Sequence, residues 1–394
     1  MQYRTDPRTG SSLSVLGFGC MRLPRGLGGI DMKKSEQLIV KAVHDGINYF
    51  DTAYLYPGSE AALGKILSDN DLRGRIFLAT KLPIANCRRA EDFSLFFEKQ
   101  LENLKTDYID YYLMHNISSS AQWQTLCSLG IEEWITDQKN AGRIRQAGFS
   151  FHGPLAEFTQ VLNARDWDFC QIQYNYSDEN YQAGVSGLKT AAEKKIPVMI
   201  MEPLLGGKLA SGLPKKASEE FSKTRNDLTP AAWAFRWLWN QPEVTAVLSG
   251  MNSIGQLEDN IRTAESAQAG MLTDEENETY EKAVKIFRSS DKIPCTGCGY
   301  CIHCPQGVNI PGCFAAYNTS FAFGRITGFV QYITGTAANR SAEGTAGTCI
   351  ECGRCETHCP QNIQIRDSLK VTAKRMEPFY FRWAMAFMRR RSVR

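Results

Sequence analysis

The first 285 residues alternate short apolar segments with amphipathic ones, and this alternation limits the possible folds more than any other feature of the chain. The amphipathic stretches carry apolar residues at helical spacing, as at Leu38, Val40, Ala42 and Val43. Eight strand–helix units close a parallel sheet into a (β/α)8 TIM barrel. An open doubly wound sheet is the alternative, but the glycine-rich phosphate turn after its first strand is missing. The predicted strands are Leu16–Gly19, Asn48–Asp51, Ile76–Lys81, Tyr108–His115, Ile144–Ser150, Phe169–Tyr174, Pro197–Glu202 and Val244–Ser249.

Titratable side chains stand at the ends of three neighbouring strands. Asp51 ends the second strand with Tyr56 five residues beyond it, Lys81 ends the third and His115 ends the fourth. In a βα barrel this end of the sheet carries the active site. Each residue alone is more often a cap or a packed or solvated side chain. Together they could act on a carbonyl, because an ammonium lowers the pKa of a neighbouring phenol and an imidazole can orient the reacting oxygen.

Several motifs, taken in order, resemble the aldo/keto reductases. They are Leu16-Gly17-Phe18-Gly19-Cys20-Met21-Arg22, the loop from Asp51 to Tyr56, Leu63-Gly64-Lys65, Lys81, Asp107-Tyr108-Ile109-Asp110 and His115. The resemblance covers roughly residues 1 to 285 and implies a barrel that uses NAD(P)H without a Rossmann fold. It also implies a catalytic tetrad with Tyr56 as the acid, formed by Asp51, Tyr56, Lys81 and His115.

The same resemblance implies where a nicotinamide nucleotide would bind. Ser150 and Gln171 are similar to the residues that hold the carboxamide, although Phe151 stands where the family usually has Asn. The glycine-containing segment 203–208 resembles the one that lies along the pyrophosphate, where free backbone amides can approach an anion.

The adenosine end of this expected site lacks the usual cations. Where the family often has a Lys-Ser pair and an Arg for the 2′-phosphate, this chain has Gly250-Met251 and Gln256. NADH is therefore as suitable as NADPH, since a 2′-phosphate loses its charge-assisted hydrogen bonds. Equally, Gly250, Gln256 and Asn260 could form an ordinary loop and helix cap with no part in binding the nucleotide. The implied cofactor-binding residues are Gly19, Cys20, Met21, Asp51, Ser150, Gln171, Leu204, Gly206, Lys208, Gly250, Gln256 and Asn260.

Eight of the thirteen cysteines fall in two short C-terminal runs. The second run fits the pattern C-x2-C-x2-C-x3-C-P at every position, and the first lacks one residue before its fourth cysteine. In two-cluster ferredoxins the fourth cysteine of each run ligates the other cluster. Structural zinc is the alternative, which the proline after each run disfavours. The sequence predicts two [4Fe–4S] clusters, one on Cys295, Cys298, Cys301 and Cys359, the other on Cys349, Cys352, Cys355 and Cys304.

These patterns divide the chain into three predicted parts: a barrel over residues 1–285, an α-rich ferredoxin-like domain over 286–375 and a basic aromatic tail over 376–394. Phe379, Trp383 and Phe387 of the tail would share one helical face, which could lie on an anionic membrane, dock to a partner or pack as a terminal helix. The net charge of +3 gives no reason to expect nucleic acid. With neither a leader nor a spanning run, we expect a cytoplasmic protein.

The two predicted redox groups differ in electron count. Nicotinamide passes two electrons as a hydride, whereas an iron–sulfur cluster passes one at a time. The clusters could be structural, could feed a flavin held by this chain or a partner, or could reduce a substrate directly. The hypothesis is an NAD(P)H-linked reductase of a small carbonyl or quinone-like molecule, connected by its clusters to an electron carrier such as ferredoxin. The alternative is a ferredoxin-linked electron-transfer protein whose barrel serves as a flavin or docking scaffold.

Overall fold

The structure is a computed structural model that describes residues 1–26, 28–301, 303–333, 336, 344–379 and 381. Contacts within the chain divide it into two compact units. The first consists of Met1–Leu204 and Ala231–Thr273, and the second of Leu205–Pro230 and Asp274–Arg394. The domain limits at residues 285 and 375 stay a prediction.

Eight parallel strands form a closed barrel in the first unit. The twelve strands of the described residues are β1 Tyr3–Thr5, β2 Ser12–Ser14, β3 Leu16–Gly19, β4 Arg25–Gly26, β5 Gly29–Ile30, β6 Tyr49–Asp51, β7 Phe77–Leu82, β8 Ile109–Ile117, β9 Ile144–Phe151, β10 Phe169–Gln173, β11 Val198–Met201 and β12 Val244–Ser249. Around the barrel the order is β10, β11, β12, β3, β6, β7, β8, β9. Each of the eight predicted strands overlaps one of these, so the predicted (β/α)8 barrel is confirmed.

Helices follow the strands as the apolar periodicity predicts. Those of the described residues are α1 Met32–His44, α2 Ser59–Asp69, α3 Glu91–Leu104, α4 Ser120–Ser128, α5 Ile131–Asn140, α6 Leu155–Ala164, α7 Gly184–Glu193, α8 Lys215–Thr224, α9 Pro230–Trp239, α10 Ile254–Glu265, α11 Asp274–Ser290, α12 Ile310–Ala322, α13 Arg325–Tyr332 and α14 Ile365–Met376.

The barrel interior is filled by an apolar plug. Because side chains alternate between the two faces of a strand, one face points into the barrel and the other packs against the helices. The plug contains Leu13, Tyr49, Ala79, Tyr111, Leu113, Phe169, Met199, Ala246 and Leu248. Leu13 comes from the hairpin of β1 and β2, which the sequence patterns did not predict.

The second unit is helical in its C-terminal part, as predicted. Within it α8 packs on α11, where the Thr224 and Thr279 hydroxyl oxygens lie 2.8 Å apart. A separate small core joins α12, α13 and α14 to the cysteine runs. Residues 380 and 382–394 lie outside the described residues, and with them most of the predicted aromatic face of the tail.

Candidate functional site

A polar layer lies directly above the apolar plug. Two positions beyond each inward-facing plug residue, the alternation of the strands brings another side chain to the same face. Tyr49 is followed in this way by Asp51, Ala79 by Lys81 and Leu113 by His115. Ser150 and Gln171 occupy the equivalent level on β9 and β10, where they are paired in register. The barrel therefore places the predicted site residues of five strands in one layer, and they are Asp51, Lys81, His115, Ser150 and Gln171.

Lys81 and Asp51 form a buried ion pair. The Lys81 Nζ donates to both carboxylate oxygens of Asp51 at 2.6 Å and to the carbonyl oxygen of Thr52 at 2.7 Å. The side chains of Lys81 and Asp51 are 1% and 4% exposed. Burial lowers the pKa of Lys81 and raises that of Asp51, and each charge opposes the shift that burial imposes on the other. Asp51 and the Thr52 carbonyl oxygen thus fix the Lys81 ammonium in position.

Tyr56 and His115 complete the arrangement. Lys81 Nζ lies 5.1 Å from the centroid of the Tyr56 ring, and the Tyr56 and His115 ring centroids are 5.9 Å apart at an interplanar angle of 86°. Burial, with smaller contributions from Lys81 and His152, holds the pKa of His115 well below its ordinary value. His115 is therefore a neutral imidazole at physiological pH. The structure brings all four residues of the predicted tetrad together.

The loop that carries Tyr56 is tied down on both sides. The Tyr56 amide donates to the carbonyl oxygen of Ala53 at 3.0 Å, and the Tyr56 carbonyl oxygen accepts from the Ser59 amide at 2.9 Å. The Ser59 hydroxyl donates to the carbonyl oxygen of Cys20 at 3.0 Å. Gly58 has a φ of 76°, a left-handed conformation that other residues rarely adopt, and α2 begins directly after it. These contacts fix the tyrosine at the barrel mouth.

Gln171 has the properties expected of a carboxamide ligand. Its side chain is buried, its Nε2 lies 3.4 Å from the Met201 sulfur, and its Oε1 is buried with no hydrogen-bond partner. An unpartnered buried amide oxygen fits the NH2 of a nicotinamide carboxamide. Ser150 Oγ accepts a hydrogen bond from the Asn116 amide at 2.8 Å. Phe151 packs into the outer apolar core, so it does not replace the missing Asn.

The residues expected near the adenosine have structural partners. Gln256 Oε1 accepts a hydrogen bond from the backbone N–H of Asn252 at 2.9 Å, just before the helix that Ser253 caps. Asn260 Nδ2 donates to Ser249 Oγ at 3.0 Å and ties α10 to β12. These contacts correspond to the alternative of a loop and helix cap.

The first-strand positions are tightly packed. Gly19 pairs in register with Asp51, and Cys20 directly after it is buried, which raises the pKa of its thiol. A Cβ at Gly250 would lie 3.1 Å from the Arg22 side chain, so a larger residue there would require that side chain to shift. Met21 is half-buried beside them.

In the second unit, Lys208 is paired with a carboxylate. Its Nζ donates to Asp291 Oδ1 at 2.6 Å and to the carbonyl oxygen of Ile293 at 3.3 Å. Gly206, two residues earlier, adopts a φ of 68° in a short turn. The charge of Lys208 is therefore largely compensated, while Leu204, which ends the first unit, packs against the barrel's outer core.

The cysteines form two sets, and each draws on both runs. One cavity is lined by the three leading cysteines of the first run together with the last of the second, which are Cys295, Cys298, Cys301 and Cys359. Burial, with smaller contributions from the other three thiols of this cavity, raises the pKa of Cys301 to about 12. Burial raises the pKa of Cys355 to about 11, with smaller contributions from Cys349 and Cys304. The grouping of these seven cysteines has the crossed form that the sequence predicts.

Corresponding loops in the two runs share a backbone conformation. Gly297 and Gly299 have φ values of 69° and 82°, and the equivalent Glu351 and Gly353 have 58° and 76°. Left-handed residues between the cysteines turn the loops so that successive thiols face one side. No disulfide bond joins any of the thirteen cysteines, all of which lie in the described residues. Within the described ranges, no three His, Cys, Asp or Glu side chains are arranged to hold a single metal ion.

A closed parallel barrel with a lysine–aspartate pair beside a tyrosine and a histidine defines a class of barrel oxidoreductases. The chain belongs to the aldo/keto reductase family, whose model matches residues 15–285. Residues 294–363 match the 4Fe-4S dicluster domain. This match supports iron–sulfur clusters over zinc in the C-terminal part, and the family supports a nicotinamide cofactor in the barrel.

Relatives and solved structures agree with this assignment. The chain is 26% identical over 309 residues to the uncharacterized oxidoreductase YrpG of Bacillus subtilis (strain 168), covering 67% of this chain and 91% of the relative. It is 26% identical over 221 residues to the methylglyoxal reductase YeaE of Escherichia coli (strain K12), covering 55% and 74%. The holo form of aldo-keto reductase AKR11C1 from Bacillus halodurans aligns with a TM-score of 0.57 at 26% identity, covering 72% of this chain and 96% of that one.

Two polar residues at the barrel mouth were missed by the sequence analysis. Asn116 follows His115, and His152 follows β9 two positions after Ser150. The alternation of Phe149 and Phe151 with Ser150 and His152 could have indicated that His152 shares the inner face. Among the described residues, no helix is long and apolar enough to cross a membrane.

Proposed function

We propose that this protein is an NAD(P)H-linked oxidoreductase that reduces a carbonyl or quinone-like small molecule, with Tyr56 as the proton donor. The observation that carries the proposal is the position of Lys81, which Asp51 holds 5.1 Å from the Tyr56 ring centroid and beside a neutral His115. Either NADH or NADPH would serve, since the predicted adenosine-end residues carry no cation that would favour a 2′-phosphate. A bound nicotinamide nucleotide would supply the hydride, and the unpartnered Gln171 Oε1 would accept from its carboxamide.

The remaining chemistry belongs to side chains of the barrel. Tyr56 Oη would give its proton to the substrate oxygen, and the neighbouring ammonium of Lys81 favours the phenolate that results. Asp51 keeps that ammonium in position inside the protein. His115 can donate a hydrogen bond to the same substrate oxygen, and because it is neutral it adds no second positive charge beside Lys81.

We further propose that two [4Fe–4S] clusters bind the two crossed cysteine sets and exchange electrons with a carrier protein such as ferredoxin. The support is the shared cavity of Cys295, Cys298, Cys301 and Cys359, together with the 4Fe-4S match. A flavin, on this chain or a partner, would reconcile hydride transfer with single-electron transfer.

The test of the proton donor is Tyr56→Phe. We expect kcat for an aldehyde or quinone to fall by about 10²- to 10⁴-fold, because general acid catalysis is lost while nucleotide binding is kept. Tyr54→Phe is the matched control, since Tyr54 lies in the same loop and packs on Phe96 at 5.0 Å. Undiminished turnover by Tyr56→Phe would reject the assignment.

The competing electron-transfer function has its own outcome. Anaerobically prepared protein would be assayed for iron, sulfide and flavin, and for NADH and NADPH oxidation with aldehydes, ketones and quinones. A protein that reduces none of these but exchanges electrons with ferredoxin would support the barrel as a scaffold.

A further inference from the structure

A β-bulge interrupts β8 beside the candidate tetrad. Met114 and Ile117 both pack into the outer apolar core, so two residues, His115 and Asn116, lie between them where an undistorted strand has one. The pairing register with β9 shifts at this point, and Asn116 has a φ of 63°. Bulges next to active sites change the direction in which side chains point. Asn116 is therefore held at the mouth of the barrel rather than in its outer core.

His152 reaches the same place from the neighbouring strand. Phe149 and Phe151 pack in the outer apolar core, so the alternation of β9 puts Ser150 and then His152 on the inner side. The amide of His152 donates to the carbonyl oxygen of Ile117 at 2.8 Å, directly beyond the bulge. His152 is also close enough to His115 that its charge would lower the pKa of that residue.

Both side chains keep a buried polar atom unused. Asn116 Oδ1 and His152 Nδ1 are inaccessible to solvent and have no hydrogen-bond partner, and His152 as a whole is 7% exposed. Buried polar atoms without partners cost stability, so two of them at one strand junction indicate a place built for a ligand group. Burial lowers the pKa of His152 to about 4, although a hydrogen bond with the Gln182 side chain opposes this shift. The imidazole is therefore neutral and suits an uncharged ligand.

We propose that Asn116 and His152 form a subsite for a substrate hydroxyl next to the reacting carbonyl. The proposal rests on the proposed reductase function and narrows its substrate class to hydroxyaldehydes and hydroxyketones. Asn116 Oδ1 can only accept a hydrogen bond, whereas a neutral imidazole nitrogen can be paired as donor or acceptor. A hydroxyl group can both donate and accept a hydrogen bond, so its chemistry matches both atoms. A quinone offers only acceptors and would leave Asn116 Oδ1 unpaired.

The test compares glyceraldehyde with propanal, which has the same chain length and no hydroxyl groups, using the full-length protein with its clusters. We expect the wild type to favour glyceraldehyde, and His152→Leu to lower the ratio of kcat/KM for glyceraldehyde over propanal by about 10- to 100-fold. His152→Gln should restore part of the preference. His44→Leu, at an exposed position on α1, should leave the ratio unchanged.

Other results would overturn the subsite. They are a wild-type preference for propanal, an equal loss on both aldehydes in His152→Leu, or a weaker affinity for the nicotinamide nucleotide in place of a changed ratio. The last result would indicate that His152 binds the nicotinamide carboxamide, in place of the Asn that the family usually has after the serine.

A binding measurement separates this inference from the proposed function. If the wild type reduces neither these aldehydes nor any ketone or quinone tested, the reductase assignment fails, and histidine-labelled protein is then titrated with glycerol and, as a control, 1-propanol. The chain has five histidines, so the His152 resonance can be assigned from its loss in His152→Leu. A His152 shift with glycerol alone supports the hydroxyl subsite, and no shift with glycerol overturns it.

Discussion

The barrel site and the cysteine region are built on opposite principles. In the barrel, Lys81 and Asp51 satisfy each other's charge, and the apolar plug beneath them fixes the strands that carry them. The thiols of the first cysteine set instead face one another, and both burial and their mutual repulsion disfavour the thiolate form. A bound iron–sulfur core would let all of them ionise, because its iron ions stabilise the thiolate form. The barrel site is thus organised by the protein alone, whereas the cysteine region depends on its group.

Removing iron should give the largest difference between the two regions. We expect chelation under reducing, anaerobic conditions to abolish amide hydrogen-exchange protection in helices α12, α13 and α14, while the barrel strands β3 and β6 to β12 keep theirs. The physical reason is that the small core around Ile310, Phe314 and Leu369 includes six of the eight predicted cluster ligands, so that cluster binding would contribute to the free energy of folding.

Retained protection in the cysteine region after complete iron loss would contradict this contrast. Two serine variants test the crossed ligation at the same time. Cys359→Ser should alter the cluster of the first run and Cys352→Ser that of its own run, as distinguished by electron paramagnetic resonance of the reduced protein. Two variants that perturb the same cluster would show that the sets are not crossed.

Breaking the buried pair should strongly destabilise the barrel. We expect Lys81→Met to lower the free energy of unfolding of the barrel by about 3–5 kcal/mol, because Asp51 is left buried without its counter-charge. The change is measured by unfolding the protein in denaturant and monitoring hydrogen exchange of the barrel strands. Lys65→Met is the matched control, since Lys65 pairs with Asp69 on the exposed face of α2 and should be indistinguishable from the wild type.

The double variant sharpens this result. If the loss comes from an uncompensated charge, Lys81→Met combined with Asp51→Leu should recover much of it. A double variant as unstable as the sum of both single changes would attribute the loss to packing instead.

The buried histidine should make barrel stability depend on pH. The pKa of His152 is about 4 in the folded protein against an ordinary value of 6.5, so the unfolded chain binds more protons between these pH values. Stability is therefore unaffected above pH 6.5 and decreases as pH falls towards 4, by about 3 kcal/mol from this residue. His152→Gln should reduce the decrease by that amount in hydrogen exchange of barrel strands. If the free energy of unfolding of the wild type and of His152→Gln depended on pH in the same way, the lowered pKa of His152 would be contradicted.

Local patterns were enough for the barrel strands because burial on both faces gives each strand a continuous apolar run. They were not enough for the hairpin of β1 and β2, whose single plug residue, Leu13, leaves no periodic signal. The bulge at His115 and Asn116 was missed for a similar reason, since it depends on how β8 pairs with β9. The pairing of Lys208 with Asp291 joins residues 83 positions apart, a distance at which sequence spacing carries no information.

The amino-acid sequence by itself determined the eight barrel strands, the residues at their carboxyl ends and the spacing of the cysteines, because these follow from local periodicity and short motifs. The tertiary structure decided what those residues do to one another. It neutralised His115 by burial, compensated Lys208 with a carboxylate and left Asn116 Oδ1 and His152 Nδ1 without partners. Burial and pairing depend on which distant segments meet, and that is settled only when the barrel closes.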